Sequence, residues 1–187
     1  MKITEAYVKE VLKEASDILD AALPADMYRD CVHIIDNVRL RKGVAWWAQI
    51  YKGVGRKKHN YDIEVNYEFY EAVPEANVKQ CLLTTLCHEL IHTVDGCFNH
   101  GEGFKLCAEA VRRYTNNYVC VTRKKQLTDW GGKVEDVPSF RYIVTCNNCG
   151  RTWGYISKPK SYGNEYEYEC GECKGSITVR KVNKHIV

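Results

Sequence analysis

Two histidines four residues apart, His88 and His92, with Glu89 directly after the first, are the residues of this chain best suited to chemistry. On an α-helix, side chains at i and i+4 lie on one face a turn apart, so two imidazoles at this spacing can reach one zinc ion. Glu89 then stands where a carboxylate can take a proton from a water the metal activates. This is the His-Glu-x-x-His pattern, whose chemistry is zinc-dependent peptide hydrolysis. A catalytic zinc takes three protein ligands and keeps one position open. His100, eight residues after His92, is the third candidate by ligand type and position. Glu102 and Glu109 are its rivals, the latter 17 residues past His92 on the next expected helix.

A second constellation lies near the C-terminus. Cys146-Asn147-Asn148-Cys149 and Cys170-Gly171-Glu172-Cys173 form two Cys-x-x-Cys knuckles with 20 residues between them. Four thiols in this arrangement predict a closed tetrahedral zinc site. Such a site holds a fold together and leaves no position for a substrate. Two zinc ions are therefore expected, one catalytic and one structural.

The elements that must position these groups follow from periodicity. Val78, Leu82, Leu83, Leu86, Leu90, Ile91 and Val94 recur at helical spacing, and Gly96 supplies a stop. His88 and His92 can then face a cleft while the apolar stripe is buried. A helix is expected over about 4–22, closed by Pro24, and another from Phe104 to Tyr114. Between the first helix and the metal helix, Cys31–Ile35, Val44–Tyr51 and Tyr61–Tyr67 read as strands, the last half-buried by its alternation. His33 reads as a core residue, and Gly53–Asn60 as a basic turn. The fold class is α+β: helices packed on a small sheet, then a small all-β zinc ribbon with strands over Thr152–Ile156 and Tyr166–Glu169. The expected organisation is a metalloprotease domain over 1–127, a linker over 128–139 and the four-cysteine ribbon over 140–187. Cys97 and Cys107 read as packing residues.

The run His88-Glu89-Leu90-Ile91-His92-Thr93, then Asn99-His100-Gly101 and Phe104, resembles the SprT-like metalloprotease family, in which a four-cysteine ribbon often follows the peptidase region. The resemblance covers roughly Met1 to Val182. It implies a zincin-like minimal domain, with His88, His92 and His100 as zinc ligands and Glu89 as catalytic base. Many relatives carry Trp-Gly-x-Cys in a strand before the active-site helix. The nearest match here is Trp47-Ala48-Gln49-Ile50. The resemblance also implies that an extended protein substrate pairs with a strand bordering the cleft, either Tyr61–Tyr67 or Val44–Tyr51.

The chain has 187 residues, 45% hydrophobic and 27% charged, with net charge +3. It has no apolar run long enough to span a membrane, and its first residues lack a signal peptide's apolar core. Ten cysteines without an export signal fit a reducing cytoplasm. From Arg141 onward, eight Lys or Arg stand against four Glu, leaving +4 there and −1 on the rest. Trp153, Tyr155, Tyr162, Tyr166 and Tyr168 are interleaved with those charges, a pattern suited to single-stranded nucleic acid. Together with the resemblance, this gives proteins on single-stranded or damaged DNA as an expected substrate. The competing class is a non-enzymatic DNA- or protein-binding module with a vestigial metal site.

Overall fold

The computed structural model describes residues 2–24, 35–52, 60–121 and 126–182. The expected strand at Cys31–Ile35, with His33, lies outside these except for Ile35, as does the basic turn except for Asn60. The described chain begins with helix α1 (Glu5–Ala22), whose N-cap Thr4 accepts a hydrogen bond from the Tyr7 N–H. Its apolar face, Val8, Val11, Leu12, Ala15 and Leu19, is buried against α3 (Glu75–Ile91), the helix that carries His88 and Glu89. That helix is buried nearly all round: Leu82, Leu83, Leu86, Leu90 and Ile91 are fully enclosed. Each such side chain contributes about 1.5–3 kcal/mol relative to exposure. His88 and Glu89 therefore sit on a firmly held helix, with His92 at its cap. The helix ends at Ile91, earlier than Gly96, and the chain continues in tight turns. Gly96 has φ +80, a left-handed conformation that lets the chain reverse toward His100.

Three strands form the first sheet: β1 (Ile35–Arg41), β2 (Ala48–Lys52) and β3 (Tyr61–Asn66), in the order β1-β3-β2. β3 is the central strand, parallel to β1 and antiparallel to β2. β3 therefore has both edges occupied, whereas among the described residues β2 keeps one outer edge. The Asn66 N–H donates to the Trp47 carbonyl at 2.9 Å, continuing the ladder in which Ile50 pairs with Ile63. Alternation in an antiparallel pair then turns the backbone groups of Ala48, Ile50 and Lys52 away from β3. The central position of β3 also changes its expected pattern. Its polar residues are not all solvated: Glu64 and Asn66 are buried. Glu64 is paired with Arg41 at 2.6 Å, and Asn66 donates to the Val44 carbonyl at 2.8 Å.

Helix α2 (Tyr67–Glu71) follows β3 directly, and helix α4 (Glu102–Tyr114) follows the loop after α3. Residues 128–139, expected as a linker, are folded against the main core. Short 3₁₀ turns at Leu127–Trp130 and Val134–Asp136 bury Leu127, Val134 and Val137 there. Phe140 joins them, with its ring 5.4 Å from that of Phe69.

The C-terminal sheet has β4 (Tyr142–Cys146) between β5 (Thr152–Tyr155) and β6 (Ile177–Lys181), all antiparallel. The first expected ribbon strand is β5. The second is displaced: Tyr166–Glu169 holds a 3₁₀ turn and a single bridge, and the paired strand is β6, after the second knuckle. The reason is side-chain polarity, since Ile177 and Val179 alternate inward against Val144, whereas Tyr166 lies exposed. β5 lies close to the main core: a Cβ on Gly154 would fall within 1.9 Å of the Phe140 ring, so no other residue fits there.

Candidate metal centres

The loop after α3 brings His100 back to the two helical histidines. The Nε2 atom of His88 lies 3.3 Å from Nε2 of His92 and 3.0 Å from Nε2 of His100. Nitrogens bound tetrahedrally at about 2.0–2.1 Å from zinc would stand about 3.3 Å apart, so the three imidazoles fit one zinc ion. Neither rival carboxylate is gathered into this group. Glu109 is instead held by Arg112 and Arg113, at 2.6 and 2.8 Å, and Glu102 by Lys105 at 3.2 Å.

The surroundings favour the ligand form of the rings. Nδ1 of His92 lies 2.9 Å from the Cys97 carbonyl. A carbonyl only accepts, so Nδ1 carries the proton and Nε2 presents its lone pair inward. Burial lowers the pKa of His92, and the Cys97 carbonyl opposes that less strongly. The neutral imidazole, the form that ligates, is thereby favoured. The Phe104 ring packs against all three histidines, with centroids 4.9, 4.8 and 4.7 Å from His88, His92 and His100.

Glu89 is 8% exposed, and burial pushes its carboxyl up to about 8, opposed by a hydrogen bond from a backbone N–H. That donor is Ile50 on β2, at 3.1 Å from Oε2. The glutamate of the histidine motif thus reaches the outer edge of the strand whose backbone groups face away from the sheet.

The four cysteines also converge. Sγ of Cys146 lies 3.4 Å from that of Cys173, and Sγ of Cys149 lies 3.8 Å from that of Cys170. Thiolates about 2.3 Å from a tetrahedral zinc are about 3.8 Å apart, so this group fits the ion too. A backbone N–H of Gly175 heads the causes that pull the Cys173 thiol down to about 6, and those of Cys173 and Glu172 lower Cys170. These shifts favour the thiolate at Cys170 and Cys173, whereas at Cys149 the pull of the Arg151 backbone N–H is outweighed by the neighbouring thiols, which hold it up to about 12.

Sequence reasoning did not reach the Ile50 N–H or the Cys97 carbonyl. They are backbone groups and carry no side-chain signature. Phe104 carried a usable signal, an aromatic four residues after His100, but its packing under the histidines needed coordinates.

A helix-and-sheet core carrying three convergent imidazoles and an adjacent glutamate defines a metalloprotease-like domain. The chain belongs to the SprT-like family, whose sequence profile matches residues 9–125. No curated protein and no solved structure matches it. Among the described residues, no helix is long and apolar enough to cross a membrane.

Proposed function

We propose that this chain is a zinc-dependent endopeptidase, with His88, His92 and His100 holding the metal and Glu89 acting as general base. The observation that carries the reading is the position of Glu89. It shares α3 with His88, lies one turn from His92 at the helix cap, and touches the outer edge of β2 through Ile50. An extended peptide that adds to this edge pairs with the outward backbone groups of Ala48 and Lys52, and its main chain runs past the glutamate. Zinc, when bound, polarises a carbonyl and lowers the pKa of water from about 15.7 toward about 7. Glu89 removes a proton from the attacking water and delivers it to the leaving amine. The Cys97 carbonyl holds the His92 ring in its ligating tautomer. The four cysteines hold a structural zinc. The zinc-loaded chain should cut an unstructured protein such as casein, stop when a chelator is added and recover when zinc is restored. Cleavage that persists in chelator would refute the metal reading.

A second reading concerns where the peptidase works. Tyr155, Tyr166 and Tyr168 are exposed on the basic C-terminal part, so three of its six aromatics lie outside the small core that packs Trp153 and Tyr162. Exposed aromatics among cations suit base stacking and phosphate contact, which would bring the enzyme to proteins on single-stranded DNA in the cytoplasm. Fluorescence anisotropy with a labelled single strand should show salt-sensitive binding. Replacing the three tyrosines by alanine should weaken it by about tenfold or more, at about 1–3 kcal/mol per stacked base. Unchanged affinity would exclude these rings as the platform.

A further inference from the structure

Beside the histidine cluster, one face of α4 opens into a cavity of about 330 Å³ bordered by His100. Its apolar wall is Phe104, Ala108 and Val121, and its charged lining is Lys105, Glu109 and Arg112. Residues 105, 108, 109 and 112 follow the i, i+3, i+4 spacing of one helical face, so the helix presents them together. Glu109 is not free to repel an anion. Arg112 grips it through Nε and Nη2 at 2.6 and 2.7 Å, and Arg113 adds a third bond at 2.8 Å. Its carboxyl is held down to about 2 by these side-chain hydrogen bonds.

The charge left over is positive. Arg112 spends three of its five N–H donors on Glu109 and Asn117, which fixes the guanidinium and leaves two. Among the described residues, the ion pair of Lys105 is with Glu102 at 3.2 Å, and both side chains are largely exposed, at 67% and 87%. An exposed pair three residues apart on a helix is worth about 0–1 kcal/mol, so Lys105 turns to a better partner at little cost. We propose that this cavity is a substrate subsite for an acidic side chain of the bound peptide, with Lys105 and Arg112 as specificity-determining residues. Glutamate is favoured over aspartate, because its longer apolar stem covers Phe104, Ala108 and Val121. The inference rests on the peptidase reading of the adjoining site.

The test uses the full zinc-loaded chain and peptides identical except for Glu, Gln or Lys at each position around the scissile bond. Two quantities are read: kcat/KM for the wild type, and binding of labelled peptides to E89Q by anisotropy. At one position Glu should exceed Lys by about tenfold, a preference that shrinks as salt shortens the reach of charge. K105E should reverse that ratio. Equal values at every position, or a ratio unchanged in K105E, would overturn the subsite. If K105E instead abolishes binding of a single-stranded oligonucleotide and leaves peptide discrimination intact, the cavity holds nucleic-acid phosphate and the proposal is wrong. Failure of the underlying reading looks different. Charge-selective binding to E89Q without hydrolysis by the wild type removes the peptidase and keeps the subsite. Hydrolysis without charge preference does the reverse.

Discussion

The Glu89 carboxylate accepts a hydrogen bond at 3.1 Å from the backbone N–H of Ile50, on the strand whose outer edge borders the histidine cluster. One contact thus ties the proposed base to the proposed substrate-pairing edge. The strand proposed to align a peptide also holds the carboxyl group.

Ile50→Pro tests this tie. Proline removes the N–H, and no ladder bond is lost because that N–H faces away from β3. A hydrogen bond to a charged group is worth about 1.5–3 kcal/mol, so hydrolysis should fall by roughly 10–100-fold. Zinc content should stay at the wild-type value. An unchanged kcat would show that Ile50 does not position the base.

The buried carboxyl predicts a pH dependence of stability. In the metal-free folded chain burial disfavours the charge of Glu89 and pushes its carboxyl up to about 8, against an ordinary value of 4.5. The folded state therefore binds this proton more tightly than the unfolded state. The resulting stability is complete below about pH 4.5 and is lost as pH rises toward about 8. After chelation, wild type and E89Q should unfold at similar denaturant concentrations near pH 5. By about pH 8 the wild type should be the weaker by roughly 1–4 kcal/mol. His88, His92 and His100 are present in both chains, so the comparison isolates Glu89. Parallel pH courses would contradict the burial of an ionisable Glu89.

His100→Ala should leave the chain with only the cysteine-bound zinc, and Glu109→Ala should leave both ions in place. The three nitrogens within reach of one another motivate the first expectation. The engagement of Glu109 by two arginines motivates the second. Atomic absorption per mole of chain reads both. Loss of zinc from Glu109→Ala alone would move the third ligand to Glu109.

Cys146→Ser should remove the other zinc and open the C-terminal sheet to proteolysis, since metal binding in so small a core is folding energy. Val144, Ile177 and Val179 form that core around the cysteines. New cleavage sites should cluster within 141–182 while fragments containing α1 and α3 resist. An unchanged digestion pattern with undiminished zinc would rule out the structural site.

Both candidate metal-binding groups are legible in the sequence because their spacing is local: a helical i, i+4 pair, a short reversal to His100 and two Cys-x-x-Cys knuckles. Long-range pairing was not legible. The alternation of Tyr61–Tyr67 predicts a strand but not that β3 is central, and only a central strand explains the burial of Glu64 against Arg41 and of Asn66 against Val44. Val134 and Val137 look isolated in a polar stretch, yet both insert into the main core. The alternation of Tyr166-Glu167-Tyr168 predicts a strand as well as that of Ile177-Thr178-Val179 does, but of the two only the latter pairs with β4.

The most direct test of the account compares wild type and E89Q at equal zinc content on one unstructured peptide, with products read by mass spectrometry. The peptidase reading predicts new peptide termini from the wild type and a rate at least about 10²-fold lower for E89Q, because Gln keeps the shape of Glu but takes no proton. Equal rates in the two chains, or no cleavage by a wild type carrying both zinc ions, would contradict it.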